Sequence, residues 1–141
     1  MKHHPIQLTG AFIEHLELIV HDRYRFADDD YDKSFEYTVF NTNFDEESST
    51  VWVKVQLSIE PKDTTPEKLD RPYTLKVAVA GQFKVDTEKF KVEFLQDWSI
   101  KNAPILLLPF IREHAYSLSA RAGFNPVLLP LFEVPSFVIE N

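Results

Sequence analysis

The sequence predicts an α+β fold in which helices pack on one face of a four-stranded antiparallel sheet. Two observations lead to this prediction: four segments alternate like strands, and one long helical segment follows them. Strict alternation means that one sheet face is buried while the other meets solvent. The length of 141 residues fits one domain. We expect a flexible N-terminus over residues 1–9 and an extended tail over 124–141.

The third and fourth strand segments alternate most clearly. Residues 51–59 place apolar side chains at odd positions, and residues 73–85 continue the same pattern. The second segment, residues 35–44, is rich in β-forming residues with a less regular alternation. These segments predict three half-buried strands.

The first strand segment alternates less cleanly. Phe12, Leu16 and Leu18 share one parity, which continues through Val20 and Tyr24 to Phe26. The pattern is blurred because Glu14 falls on the apolar parity and Ile13 and Ile19 fall on the polar one. We expect one strand with its even-numbered apolar side chains facing the core.

A long helix is predicted after Asn102, which is a plausible N-cap. Pro104 lies near the first turn, where its missing N–H costs nothing, and Gly123 suits the position after the helix end. Apolar residues occupy two neighbouring faces of this helix, which therefore needs two covering surfaces. We expect the sheet to cover one face and a second subunit to cover the other.

Residues 87–98 are compatible with two structures. Phe90, Phe94 and Trp98 have the spacing of a helix face, whereas Phe90, Val92 and Phe94 alternate as in a strand. The helix is preferred, and a fifth strand remains the alternative.

Composition excludes several functional classes. The chain has no cysteine and only three glycines, so thiolate chemistry and glycine-rich phosphate loops are ruled out. The net charge of -7 argues against a nucleic-acid partner. No apolar stretch is long enough for a signal peptide or a bilayer span, so we expect a cytoplasmic protein without membrane insertion.

No residues converge on a catalytic or metal site. Asp28, Asp30 and Asp32 begin like a calcium loop, but Lys33 and Val39 replace the glycine and glutamate that such a loop requires. We therefore expect no enzyme activity, no metal and no cofactor. Aromatic residues make up 13% of the chain, which is more than a small core needs, so some should be partly exposed or lie at interfaces.

The segment from Asn102 to Phe132 resembles the SecB chaperone family. It carries an apolar run that ends at Pro109, an aromatic at Phe110 and the pair Arg112–Glu113. The later positions of the motif are Arg121, Gly123, Pro126 and Pro130. By order of elements, the resemblance covers roughly residues 11 to 137.

This resemblance implies a homo-oligomer, a dimer of dimers, with the long helix near the subunit contacts. The candidate contact residues are Phe110, Arg112 and His114. It also implies apolar grooves that hold unfolded polypeptide without ATP.

In this family the crossover between strands one and two borders the groove. The resemblance therefore implies groove contacts at Tyr24, Phe26, Tyr31 and Phe35. Weaker candidates in the tail are Leu129, Leu131 and Phe132. The alternatives are that Phe26 and Phe35 are strand-end core residues and that the tail packs on its own subunit.

Two departures from the family bear on export. Asp22 falls near an acidic position that docks the translocase motor, but Lys76 stands where a second acidic residue is expected, and this charge reversal disfavours the contact. Too little sequence follows Phe137 for the family's C-terminal helix.

The predicted function is an ATP-independent holdase for preproteins or a dedicated client. The alternatives are a chaperone of a toxin–antitoxin system, whose client is the antitoxin, and a non-chaperone binding module of the same fold.

Overall fold

A computed structural model describes residues 1–28 and 34–131 of the chain. Among these residues, four strands form one antiparallel sheet with the order β1-β4-β3-β2. The strands are β1 (Ile6–Val20), β2 (Glu36–Asn41), β3 (Thr50–Ile59) and β4 (Tyr73–Val85). The helices are α1 (Leu95–Lys101) and α2 (Ala103–Arg121), and short 3-10 turns occur at Arg23–Arg25, Pro66–Lys68 and Val92–Phe94. The predicted fold class is confirmed.

The core lies between α2 and the inner face of the sheet. Odd-numbered residues of β3 and β4 point inward, as their alternation predicts, and Val55, Leu57 and Val77 are fully buried. Leu107 and Ile111 of α2 are equally buried against them. Each such side chain contributes about 1.5–3 kcal/mol by leaving water.

Gly81 of β4 allows α2 to approach the sheet closely. A Cβ atom at this position would lie 2.7 Å from Cδ2 of Leu107 and 3.1 Å from Cδ1 of Leu8. Both distances are shorter than ordinary van der Waals contact, so a larger residue would require the Leu107 and Leu8 side chains to shift in a packed core.

Two β-bulges in β1 explain its irregular pattern. The pairing with β4 shifts between Leu8 and Gly10 and again between Ile13 and His15. Each extra residue reverses which parity points inward. The prediction that Phe12 shares a face with Leu16 was therefore wrong: Phe12 pairs with Ala80 on the outer face, whereas Leu16 faces inward opposite Val77.

The ends of β1 also differ from the prediction. The strand begins at Ile6, which is buried, inside the segment expected to be flexible. It ends at Val20, because the next two residues, His21 and Asp22, both donate their N–H groups to the Pro72 carbonyl at 2.8 and 3.0 Å. Tyr24 therefore lies in a 3-10 turn that the Asp22 carboxylate caps, rather than in the strand.

Residues 87–98 do not form a fifth strand. Phe90 is buried in a turn, where its N–H donates to the Asp86 carbonyl at 2.9 Å. The helix begins at Leu95, so the preferred helical prediction holds for only the last part of this segment.

The long helix has the predicted boundaries. It begins directly after Asn102 and contains Pro109. Gly123 then adopts a positive φ of 86°, which a glycine accepts without steric cost. No helix of the described residues is long and apolar enough to cross a membrane.

Candidate functional site

A cavity of about 390 Å³ opens at one end of the inner sheet face. We call it the groove cavity. Phe35, Ile59, Arg71 and Tyr73 form its sheet-side wall. The opposite wall is residues 125–130, part of a stretch without helix or strand over residues 124–131 that we call the tail segment. Most of the lining is aliphatic or aromatic, so the cavity is suited to apolar side chains.

The sheet-side wall depends on Arg71. This arginine is 3% exposed. Its Nη2 donates to the main-chain carbonyl of Ser34 and, at 3.1 Å, to the Ser34 hydroxyl. A buried guanidinium requires such partners. The contacts fix the residue immediately before Phe35, which lines the cavity at the start of β2.

The tail segment is anchored to α2 at its beginning by Ser119. This residue is fully buried, and its Oγ donates to the Ala115 carbonyl at 2.7 Å. The same oxygen accepts from the N–H of Val127 at 2.9 Å, while the N–H of Phe124 donates to the Ser119 carbonyl at 3.1 Å. The ring of Phe124 packs on Tyr73 with centroids 4.8 Å apart.

A second anchor lies near the end of the tail segment. Nη2 of Arg112 donates to the Pro130 carbonyl at 2.8 Å. Between the two anchors, Leu129 is 6% exposed and joins the core. Pro126 and Pro130 disfavour a helix in this stretch, because proline lacks the N–H that a helix interior requires.

The predicted groove residues fall into three groups. Phe35 and Leu129 line the groove cavity together, and both also pack against the core. Tyr24, Phe26 and Leu131 are 95%, 55% and 86% exposed and do not line it. Tyr31 and Phe132 lie outside the described residues.

A smaller, more polar cavity of about 250 Å³ adjoins the first. Phe35 and Arg71 line both cavities, so the two meet at these side chains. The second is also lined by Glu36, the first residue of β2. β2 is an edge strand of the sheet, and Phe35, the residue directly before it, lines both cavities.

The predicted docking residues already have partners in the chain. The Asp22 carboxylate accepts from the N–H of Tyr24 at 3.0 Å. Lys76 lies on the outer face, with its Nζ 3.3 Å from the Glu60 carboxylate. Lys76 is therefore part of an ion pair on this face.

An aromatic cluster on the outer face was missed by the sequence analysis. Phe12, Phe40 and Trp52 are 53%, 51% and 36% exposed, and the Phe12 and Trp52 rings lie 5.8 Å apart. Nζ of Lys54 lies 5.5 Å from the Phe40 ring centroid and 3.0 Å from the Glu14 carboxylate. The available signal was Trp52, a large ring at a solvent-facing position of the most regular strand.

The solvent side of α2 carries three large apolar side chains beside the exposed Glu113 and Arg121. Leu106, Phe110 and Tyr116 are 48%, 36% and 50% exposed. His114 is half-buried on the same helix, while Arg112 reaches the tail of its own chain. The oligomer contact through these residues stays a prediction.

The phenol of Tyr37 is a perturbed titratable group. Burial raises the pKa of the Tyr37 phenol on β2 to about 12. Its hydroxyl therefore stays neutral across the physiological range. Among residues 1–28 and 34–131, no three His, Asp or Glu side chains are grouped so as to hold a metal ion.

Comparison with solved structures identifies the fold. The chain is similar to the Mycobacterium tuberculosis SecB-like chaperone Rv1957, solved in complex with a ChAD peptide from the HigA1 antitoxin. The TM-score is 0.71 at 19% sequence identity, and the match covers 94% of each chain. A Streptococcus agalactiae protein of unknown function matches with a TM-score of 0.46 and 16% identity, covering 89% of this chain and 97% of the other.

No protein-family model matches the sequence, and the search of curated proteins found no match. At 19% identity, the similarity over 94% of both chains concerns the fold. Together with the sheet order and the position of α2, it shows that this chain has a divergent SecB-like fold.

Proposed function

We propose that this protein is an ATP-independent holdase chaperone that binds extended, apolar segments of unfolded polypeptides. One observation carries the proposal: an open, mostly apolar cavity is lined by Phe35, the residue that directly precedes the edge strand β2. An extended client could add to this edge through main-chain hydrogen bonds while an apolar side chain enters the groove cavity. No reaction is required, and the protein is proposed not to be an enzyme.

This arrangement suits broad recognition. Main-chain hydrogen bonds to β2 would not depend on the side chains of the client. The cavity would add about 1.5–3 kcal/mol for one fully buried aliphatic or aromatic side chain. A client must therefore expose an apolar side chain on an extended backbone, which unfolded chains do and folded proteins do not.

We further propose a dedicated client, an antitoxin, in preference to preprotein export. The structural neighbour was solved with an antitoxin peptide, which supports a client of that kind. The ion pair of Lys76 with Glu60 stands where export would require an acidic docking position. A toxin–antitoxin pair encoded beside this protein would add support.

We also propose that the protein is a homo-oligomer, a dimer of dimers, whose subunits meet through α2. The large apolar side chains on the solvent side of this helix support the proposal. Ile13 and Leu16 add exposed apolar side chains on β1, because they face the helix side of the sheet and remain 50% and 42% exposed.

The test measures capture of a chemically unfolded, slow-refolding polypeptide without ATP, with the same polypeptide in its folded form as a control. We expect suppressed light scattering and a complex on size exclusion with the unfolded form alone. Phe35→Ser should weaken capture. Phe40→Ser is the matched control, because it removes the same ring from the outer face, away from the groove cavity.

Equal capture by both variants, with circular dichroism showing that each is folded, would place binding elsewhere on the molecule. Absence of capture by the intact wild-type protein would refute the holdase and favour a binding module with one folded partner.

A further inference from the structure

We infer that Arg71 and Arg112 are positioning residues that set the width of the groove cavity and, through it, the size of the client side chain that fits. The inference deepens the proposed function and rests on it. Arg112 does not line the cavity, whereas Arg71 does, and the role inferred for Arg71 is its hold on Ser34.

The same contact recurs on both walls. Arg71 donates from Nη2 to the main-chain carbonyl of Ser34 on the sheet side, and Arg112 donates from Nη2 to that of Pro130 on the tail side. Each carbonyl belongs to a stretch that is neither helix nor strand. Each wall is thus held by a side chain that reaches it from elsewhere in the sequence.

Arginine is well suited to this task. Its planar guanidinium presents donors in a fixed geometry, and a charge-assisted hydrogen bond is stronger than a neutral one. Lysine would offer a compact, strongly hydrated charge on a flexible stem. The contacts are therefore expected to hold both carbonyls at a defined distance from α2 and the sheet.

The packing of Arg112 supports a role beyond filling space. Its Nε is buried and has no hydrogen-bond partner among the described residues. Such a donor costs stability, and methionine would fill similar space without that cost. What the guanidinium adds is the contact between Nη2 and Pro130.

The consequence concerns side-chain size. With both walls fixed, a large ring in the groove cavity would touch Phe35 on one side and the tail segment on the other. A released tail wall would leave the ring with contacts on one side, and dispersion energy falls off over fractions of an ångström. A small side chain would lose little, because it would not span the cavity in either case.

The experiment uses three synthetic peptides that differ only in a central Trp, Leu or Ala. Their Kd values are measured by fluorescence anisotropy for the full-length wild type, Arg112→Met and Arg112→Lys. Arg121→Met is the matched control, because Arg121 is an exposed arginine in the last turn of the same helix. Amide hydrogen exchange over residues 127–131 is followed without peptide.

We expect Arg112→Met to reduce the preference for Trp over Ala about tenfold, which corresponds to about 1.4 kcal/mol. The Ala peptide should bind almost as before, Arg112→Lys should retain part of the preference, and Arg121→Met should retain all of it. Amide hydrogen exchange over residues 127–131 should be faster in Arg112→Met than in the wild type, and it should be unchanged in Arg121→Met. Arg71→Lys should shift the same preference while the protein remains folded.

An equal loss of affinity for all three peptides would indicate general destabilisation and would overturn the inference. Unchanged hydrogen exchange in Arg112→Met would also overturn it, whatever the peptides do. If the wild type binds no peptide but exchange responds as expected, the proposed function fails while the positioning of the tail wall stands.

Discussion

Replacing Gly81 by alanine tests how closely α2 packs on the sheet. The new Cβ would lie 2.7 Å from Leu107 and 3.1 Å from both Leu8 and Phe83. Leu107 and Phe83 are fully buried and cannot move into solvent. Overpacking of this kind costs about 1–3 kcal/mol. The Tm should fall by about 2–12 °C for a chain of this size.

The assay is thermal and urea denaturation followed by circular dichroism, with Gly10→Ala as the matched control. A Cβ at Gly10 would meet the Phe12 ring at 2.7 Å, but this ring is half-exposed and can turn away. Its cost should stay within about 1 kcal/mol. Equal destabilisation by the two variants, or a neutral Gly81→Ala, would refute the close approach of α2 to β4.

Three further predictions concern a titration, an anchor and an interface. Burial raises the pKa of Tyr37 to about 12, so the unfolded chain ionises this phenol at a lower pH than the folded chain does. The free energy of unfolding should therefore fall as the pH rises from 10 to 12. Tyr37→Phe should remove that loss of stability, and it should also remove the last step of the tyrosine titration followed by ultraviolet absorbance. Ser119→Ala removes the acceptor of the Val127 N–H and should cost about 1–3 kcal/mol in urea unfolding, whereas a neutral result would mean that the anchor is dispensable. Phe110→Glu should lower the mass measured by light scattering if α2 forms the subunit contact, and an unchanged mass would exclude its solvent side.

The sheet and long helix could be predicted because their sequence signals are local. The odd-numbered apolar residues of β3 and β4 point inward, as alternation requires, and Gly123 ends α2 as its position predicts. The inward face of β1 could not be predicted in the same way. Its bulges depend on pairing with β4, and the irregular placement of Glu14 and Ile13 was a local sign of them.

The groove was only partly predictable. Phe35 and Leu129 were predicted from a resemblance, and they do line one cavity. The contacts that hold its walls join positions far apart in sequence, as Arg71 with Ser34 and Arg112 with Pro130 demonstrate. A single sequence carries no signal for such pairs, because an arginine that binds a distant main-chain carbonyl cannot be told from a solvent-exposed arginine by its neighbours in the sequence.

The outer face of the sheet explains why binding is better sought at the groove. The ion pair of Glu14 with Lys54 joins β1 to β3 across the small Ala80 of β4. The pair of Lys76 with Glu60 lies further along the same face. A charged partner docking here would have to disrupt these pairs and desolvate their groups, which offsets much of the Coulombic gain. Binding in the groove cavity would disrupt no ion pair of this kind, because an apolar client side chain would displace only water from a mostly apolar wall. We therefore expect Lys76→Glu to leave client capture unchanged, and a loss of capture would show that the outer face takes part in binding.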